Sequence, residues 1–368
     1  MITKSALILC ATDAGGARNL APVAALAQGR GTKVVAFGSP ATLALFAEEG
    51  VMAVPAPFVD PAIAAAFLSE IKPRAILVGT TLFDATEAHL TQAARKLHIP
   101  SVAVLDEWYD YRIRFQDASG GLGRLTDLVC CPDEMACAGA AAEGVPGERL
   151  RVTGSPALAA LVAQVDTFVR QPPPLPSFLT MLPSSLRIVF LSETMAADYG
   201  DAPGLCGPFG PYIGYTEHDV RTYLAQAVSA LGRPCRVIEK MHPSTAELPP
   251  PPVSLAKGCD WHSVGRLPLW PLLWHADAVV GMRSAALLET VMIGRPALSF
   301  QPGRIGADRC TAVRLNLLPS LQDGAALKLW LESALEPEAG RRGPPPAPAF
   351  ATPMAAANVL SVIDEIVT

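Results

Sequence analysis

Charge is scarce in this sequence. Charged residues make up 17% of the 368 residues, and the formal net charge is −5. The lysines and arginines are scattered and form no basic stripe, which argues against a nucleic-acid-binding surface. The hydrophobic share of 50% excludes an intrinsically disordered chain and indicates a compact globular protein. Any site for an anion must therefore be built locally.

Long apolar runs are also missing. No stretch approaches the roughly 18 apolar residues of a membrane span, and the first apolar run stops at Asp13, too early for a secretory signal. The eight cysteines, including the adjacent Cys130 and Cys131, fit neither a zinc spacing nor a disulfide framework. We expect a reduced, cytoplasmic protein. A peripheral contact with the inner membrane face stays open.

Short apolar strands alternate with helical segments rich in alanine and leucine, which is typical of a parallel sheet covered on both faces. In the first half we predict strands at residues 6–11, 33–37, 75–78, 101–105, 127–130 and 150–153. After residue 186 the alternation restarts, with strands at 187–191, 236–239, 278–280 and 297–300. This pattern predicts an α/β fold with two Rossmann-like doubly wound domains that face a cleft.

Proline marks the domain borders. Five prolines within residues 171–185 cannot continue a helix or a central strand, so we interpret this segment as a linker. The predicted plan is a first domain at 1–170, a second domain at 186–338, and a proline-rich connector with a C-terminal helix at 339–368, which could pack on either domain. A glycine-rich segment at 199–216 is expected to be ordered or to close over the cleft.

Ligands of open parallel sheets bind beyond the carboxyl ends of the strands, so the loops that follow strands are informative. In the loop 12–23, Gly15 and Gly16 permit close backbone approach to a substrate. Asp13 would face the cleft and is the first candidate for a general base. It could equally be the cap of a helix in a tight turn.

A second such loop, DEWYDYRIRF, occupies residues 106–115. Carboxylates bind sugar hydroxyls, and Asp106 or Glu107 could take a proton from an acceptor hydroxyl. The aromatic faces of Trp108 and Tyr109 could cover apolar sugar surfaces. Alternatively, these aromatic side chains fill the core.

Two stretches of the second domain predict a phosphate-binding site. Lys240 and His242 stand two apart at a strand end, so their side chains project to the same side. After Pro243, the hydroxyl of Ser244 lies beside exposed N–H groups. Ser192 follows the strand 187–191 and could also reach phosphate oxygens, although such residues cap helices more often.

The other informative segment spans residues 275–300. Gly281 leaves room for a ligand at a strand end, and Arg283 and Ser284 would lie near phosphates. Ser284 is also a plausible N-cap. Glu289 is a lone carboxylate in a largely apolar helix, where it could accept both hydroxyls of a ribose or simply face solvent.

At these residues the chain resembles the nucleotide-sugar-dependent glycosyltransferases of the GT-B fold. ADAVVGMRSAALLETVMIGRPALSF is similar to their donor-binding segment, including that of the cell-wall N-acetylglucosaminyltransferase. KMHPS resembles the His-Pro motif of bacterial sialyltransferases and of capsule and teichoic-acid polymerases, which contacts donor phosphate. DAGGARNLAP resembles the acceptor-side glycine-rich loop. The resemblance implies that Glu289 holds the ribose, while His242, Ser284 and Ser192 contact phosphate.

The resemblance implies a metal-independent glycosyltransferase of bacterial polysaccharide or glycoconjugate synthesis, which uses a nucleotide sugar and a hydroxyl acceptor and needs no cofactor. Ala17 stands where a histidine often follows the diglycine loop. The candidates for the base are therefore Asp13 first and Asp106 second. Two alternatives stay open: a nucleotide-sugar 2-epimerase or hydrolase of the same fold, and a non-catalytic sugar-nucleotide-binding protein. The epimerases' N-terminal Gly-Thr-Arg-Pro-Glu run is not found here.

Overall fold

The computed structural model describes residues 6–82, 84–176, 179, 185–242, 245, 255–265, 267–336 and 347–367. The chain divides into two compact units, one formed by Met1–Ala163 with Ala347–Thr368 and the other by Gln164–Pro346. The division falls before the border that we predicted after residue 170. The predicted linker at 171–185 belongs to the second unit, and the C-terminal helix belongs to the first.

The first unit holds a seven-stranded sheet in which all pairs are parallel, with strand order β3-β2-β1-β4-β5-β6-β7. Its strands are β1 Leu7–Ala11, β2 Val34–Gly38, β3 Ala53–Pro55, β4 Ala75–Val78, β5 Ser101–Val104, β6 Leu128–Cys131 and β7 Leu150–Val152. Its helices are α1 Ala14–Gly29, α2 Leu43–Glu48, α3 Pro61–Ile71, α4 Thr86–Lys96, α5 Tyr111–Phe115, α6 Glu134–Ala142, α7 Pro156–Arg170, which crosses the division, and the C-terminal helix Ala355–Val367.

The second unit holds a six-stranded parallel sheet, with strand order β12-β11-β8-β13-β14-β15. Its strands are β8 Leu186–Leu191, β11 Cys235–Lys240, β12 Asp260–Val264, β13 Ala278–Gly281, β14 Ala297–Phe300 and β15 Ser320–Leu321, and a small antiparallel pair is formed by β9 Cys206–Gly207 and β10 Gly210–Pro211. Its helices are α8 Met195–Tyr199, α9 Glu217–Ser229, α10 Leu269–Trp274, α11 Ala286–Ile293, α12 Thr311–Arg314 and α13 Gly324–Ala334, so that the C-terminal helix is α14.

Burial explains why these segments are strands. Every residue of β1, β4, β5 and β6 is buried, as continuous apolar runs in a sheet covered on both faces require. In the first unit, α14 packs Val359 and Ile363 into the same core as Leu9 and Leu20. The two-domain α/β fold predicted from the sequence is confirmed. In the part of the chain that the structure describes, no helix has the length and apolar character needed to cross a membrane.

Two predicted loops contain regular structure. Helix α1 begins at Ala14, so Gly15 and Gly16 lie in its first turn, and Pro22 lies inside it. The glycine-rich segment 199–216 carries the β9–β10 pair and packs on its own unit: a Cβ on Gly214 would lie 2.1 Å from the Gly303 carbonyl oxygen. Gly214 also has φ +99°, so glycine is required there on both counts.

The strand orders fix where ligands would bind. In the first unit the order reverses at β1, whose neighbours are β2 and β4, and in the second unit it reverses at β8, whose neighbours are β11 and β13. Crossovers leave such a strand toward opposite faces, which opens a crevice beyond its carboxyl end. Asp13 follows β1 and Ser192 follows β8, while the other candidates follow strands on the same edge of each sheet: Asp106 follows β5, His242 follows β11 and Arg283 follows β13.

Candidate functional site

Asp13 is both a helix cap and a buried carboxylate. Its Oδ1 accepts the Gly16 N–H at 2.7 Å and begins α1 directly after β1. Burial first, and then the charge of Asp106, raise the pKa of Asp13 to about 6. A carboxylate with a pKa close to neutrality is better suited to accept a proton than an ordinary aspartate.

Asp106 lies beyond the carboxyl end of β5 and is held in an ion pair. Its Oδ1 lies 3.1 Å from Arg114 Nη1, and the two side chains are only 11% and 6% exposed. The hydroxyl of Thr80 donates to the same oxygen at 3.3 Å. Since a Cβ on Gly15 would lie 2.0 Å from Asp106 Oδ2, glycine at this position lets helix α1 approach the carboxylate. The structure thus brings the diglycine turn and the DEWYDYRIRF loop together.

Glu87, in the first turn of α4, was not singled out from the sequence. Its carboxylate accepts the backbone N–H of Thr12 at 2.9 Å and that of Thr81 at 3.1 Å, and the residue is 4% exposed. Burial, and then the charge of Asp13, raise its pKa well above the ordinary value. An acidic first turn after a buried strand was the available signal, but it also describes many helices that use a glutamate only to complement the helix dipole.

The aromatic loop after β5 is packed inward at its tryptophan. Trp108 is 3% exposed, donates its indole N–H to Asp133 Oδ2 at 2.8 Å, and meets Phe350 edge to face with ring centroids 5.7 Å apart. The alternative that aromatic residues fill the core therefore describes Trp108, and covering a sugar would require its loop to move. Glu107 and Tyr109 are half-buried beside it.

Glu193, directly after β8, is the second carboxylate that sequence reasoning did not select. Its two oxygens lie 3.2 and 2.9 Å from the backbone nitrogen of Arg283, and the Ser284 N–H also donates to it. Burial raises its pKa to about 7 against the opposing effect of the Arg283 charge. The carboxylate therefore occupies backbone N–H groups of the turn that we predicted to face phosphate.

Ser192 lies beside this turn with its polar atom unused. The residue is 4% exposed, and its Oγ has no hydrogen-bond partner among the residues that the structure describes. Buried hydroxyls are normally paired, so an unpaired one at a strand end is a candidate ligand contact. The guanidinium of Arg283 stacks 4.5 Å from the ring centroid of Tyr199, which orients its charge.

Lys240 and His242 both lie at the carboxyl end of β11. The ammonium of Lys240 donates to the carbonyl oxygens of Gly265 at 2.6 Å and Met241 at 3.2 Å, which fixes its position. His242 is exposed. Partial desolvation lowers the pKa of its ring, the charge of Asp198 opposes this effect, and the charge of Lys240 adds to it. The predicted Ser244 lies outside the described residues.

Glu289 is half-buried on α11, and its Oε2 accepts the indole N–H of Trp270 from α10. This contact orients the carboxylate. Ser284 accepts the Ala286 N–H at 3.2 Å, but the N-cap position of α11 is occupied by Ala285, so the N-cap predicted at Ser284 is wrong by one residue.

No family model matches this chain, and no curated protein matches its sequence. Solved structures do share its fold. The UDP-GlcNAc 2-epimerase of Methanocaldococcus jannaschii, in complex with UDP-GlcNAc and UDP, superimposes with a TM-score of 0.67 at 12% identity, over 98% of this chain and 99% of that one. The UDP-GlcNAc 2-epimerase of Neisseria meningitidis, bound to UDP-GlcNAc, gives 0.66 at 13% identity over the same shares.

MurG of Acinetobacter baumannii is similar as well, with a TM-score of 0.55 at 12% identity over 98% of this chain and 99% of that one. At such low identity these likenesses show the fold alone. The chain has the two-domain α/β plan of the GT-B fold, which it shares with enzymes that act on nucleotide sugars.

Proposed function

We propose that this protein is a glycosyltransferase that moves a sugar from a nucleotide-sugar donor to a hydroxyl acceptor in bacterial polysaccharide or glycoconjugate synthesis. The observation that carries the proposal is the Asp13 carboxylate at the carboxyl end of β1, with its pKa raised to about 6. It supplies a base for the acceptor hydroxyl. The ion pair with Arg114 fixes the carboxylate of Asp106 nearby, and the charge of Asp106 contributes to the raised pKa of Asp13.

The donor would bind to the second unit. Glu289, oriented by Trp270, would accept the ribose hydroxyls, and the phosphates would meet Ser192, His242 and the Arg283 turn. Lys240 adds a fixed positive charge at the same edge of the sheet. These positive groups would stabilise the departing phosphate without a metal ion, and the reaction would use no cofactor.

The chemical step follows from these roles. Asp13 takes the proton of the acceptor hydroxyl. At the same time the acceptor oxygen forms a bond to the anomeric carbon of the donor. The bond from that carbon to the phosphate oxygen breaks, and its electron pair leaves with the nucleotide. The acceptor would be bound by the first unit, where Glu107 and Tyr109 lie in the same loop as Asp106.

A second candidate is a 2-epimerase or hydrolase that acts on the nucleotide sugar alone. Two observations favour it. Three carboxylates, those of Asp13, Glu87 and Asp106, lie at the carboxyl edge of the first sheet, which is more than a single base requires. Solved 2-epimerases also share the fold. A non-catalytic binding protein would make no use of a carboxylate tuned toward neutrality.

Incubation of the protein with nucleotide sugars, with and without hydroxyl acceptors, separates these functions. A transferase releases nucleotide in an acceptor-dependent manner, and Asp13→Asn abolishes that release. Complete turnover of the donor without acceptor, seen as a new sugar-nucleotide resonance by NMR or as free sugar, would replace the transferase by the second candidate. No turnover of any donor would refute both enzymatic functions.

A further inference from the structure

Glu193 raises a problem for the phosphate site of the proposed function, on which this inference rests. When ionised, a carboxylate only accepts hydrogen bonds, and here it already uses the N–H groups of Arg283 and Ser284. A phosphate at this turn would meet a buried negative charge on the same groups that should attract it. Two anions that share one site resist being ionised together.

The surroundings do not remove the problem. The charged and titratable groups that act on Glu193 are Arg283 from the β13–α11 turn and Asp198 from α8, and Glu193 in turn acts on Tyr215 before α9 and Cys310 before α12. Arg283 contributes one positive charge, which Asp198 partly offsets. A phosphate with two negative charges adds to the negative charge of this group, and the excess is smaller by one charge when Glu193 is neutral.

We propose that Glu193 binds the donor phosphate as a neutral carboxylic acid, so that nucleotide binding takes up one proton. One oxygen of the acid continues to accept the Arg283 N–H, while its O–H donates to a phosphate oxygen. The hydroxyl of Ser192, which is buried and has no hydrogen-bond partner within the described part of the chain, donates to the same phosphate. A repulsive carboxylate thereby becomes a donor, and the Arg283 N–H keeps one acceptor oxygen.

The proton balance fits this assignment. Burial raises the pKa of Glu193 to about 7, so the acid is already half-populated near neutrality. Above this pH the wild type must take up a proton to bind, and its apparent affinity falls in proportion to the neutral fraction. At pH 8 that fraction is about one tenth, which predicts a loss of about tenfold relative to a permanently neutral side chain.

The substitution Glu193→Gln provides a permanently neutral side chain of the same size. Its carbonyl accepts the Arg283 N–H, and its amide N–H₂ donates to phosphate, as the neutral acid would. We expect the variant to bind nucleotide about tenfold more tightly than wild type at pH 8 and equally at pH 6, an improvement caused by removal of a charge. Glu217→Gln is the matched control, because Glu217 also accepts a backbone N–H, that of Ala196 at 2.9 Å.

The measurement is isothermal titration calorimetry with CDP, UDP, GDP and TDP from pH 6 to pH 8.5. It is made in two buffers of different ionisation enthalpy, so that the number of protons taken up on binding can be counted. At pH 8 the free nucleotide phosphate, with its second pKa of about 6, is ionised, and the loss of proton uptake in Glu193→Gln is what assigns the proton to Glu193. Because His242 could also take up a proton, the count is repeated in His242→Gln, where the uptake must persist. Wild type carries the test alone if Glu193→Gln does not fold.

Parallel affinity profiles for wild type and Glu193→Gln, or no proton uptake by wild type at pH 8, would overturn the role of Glu193 and leave the proposed function standing. Failure of wild type to bind any of the four nucleotides at any pH would overturn both. The expected pattern, uptake by wild type and by Glu217→Gln but not by Glu193→Gln, separates the two cases.

Discussion

Arg114 and Asp106 form an ion pair with a 3.1 Å separation in which both side chains are almost entirely buried. This contact ties α5 to the end of β5 and holds the carboxylate of Asp106 where its charge acts on Asp13. Arg114 also donates to the Thr80 carbonyl oxygen at 2.9 Å, so one guanidinium joins the ends of β4 and β5. The geometry of the candidate base depends on this pair.

Arg114→Met is expected to lower the free energy of unfolding by about 3 kcal/mol, because it leaves Asp106 buried without its cation. The double variant Arg114→Met/Asp106→Leu should recover most of this loss, since neither charge is then stranded. Urea unfolding at neutral pH measures both. Equal stability of the single and double variants would show that the pair is not coupled.

Gly15→Ala tests the close approach of α1 to Asp106. The added Cβ would lie 2.0 Å from Asp106 Oδ2, so we expect the carboxylate to be displaced and turnover to fall at least tenfold. Gly29→Ala, at the other end of the same helix, meets nothing within 4 Å and should leave turnover unchanged. Steady-state kinetics of the two variants checks this prediction. Loss of activity in both variants would show a general effect of alanine in α1 and not a specific contact with Asp106.

Asp13→Asn should separate activity from stability. The pKa of Asp13 is raised to about 6, so the ionised carboxylate costs stability above that pH and costs nothing below the unfolded value of about 4. We expect the variant to be more stable than wild type by up to about 3 kcal/mol at pH 7.5 and equally stable at pH 4. Its turnover should fall about 100-fold or more, while wild-type turnover rises through pH 6.

Thermal unfolding at the two pH values and a pH–rate profile check this prediction. Lower stability of Asp13→Asn at pH 7.5 would mean that the cap to Gly16 outweighs the cost of burying the charge.

Trp270→Phe tests whether the indole positions Glu289. Without the N–H the carboxylate loses this hydrogen-bond donor, so we expect nucleotide affinity to fall about fivefold, which corresponds to the net contribution of one typical hydrogen bond, about 1 kcal/mol. Wild type should also prefer a nucleotide over its 2′-deoxy form, and Glu289→Ala should lose that preference. Titration calorimetry with both forms decides, and an undiminished preference in Glu289→Ala would remove the ribose contact.

Much of the fold could be predicted, because buried parallel strands are continuous apolar runs. The strands at 75–78, 101–105 and 187–191 appear nearly as expected. β3 could not be found this way, since it is short and largely exposed, and β12, with the sequence DWHSV, carries too many polar residues. The helical start at Ala14 runs against the low helix propensity of glycine and proline, and packing outweighs propensity there.

The candidate site was visible only in part. Asp13, Asp106 and Glu289 follow strands or interrupt an apolar helix, so sequence position alone makes them conspicuous. Glu87 and Glu193 resemble ordinary residues of helix starts in sequence. What distinguishes them is burial against backbone N–H groups from distant segments, Thr12 for one and Arg283 for the other. Sequence spacing carries no record of such contacts.

The central claim is that the second unit binds the phosphate and ribose of a nucleotide. A thermal-shift panel of CMP, CDP, UDP, GDP and TDP tests this claim most directly. We predict that at least one stabilises the wild type, by about 2.7 kcal/mol at a hundredfold excess over its Kd, and that His242→Ala and Glu289→Ala reduce the shift. Unchanged melting temperatures with all five nucleotides would contradict the account.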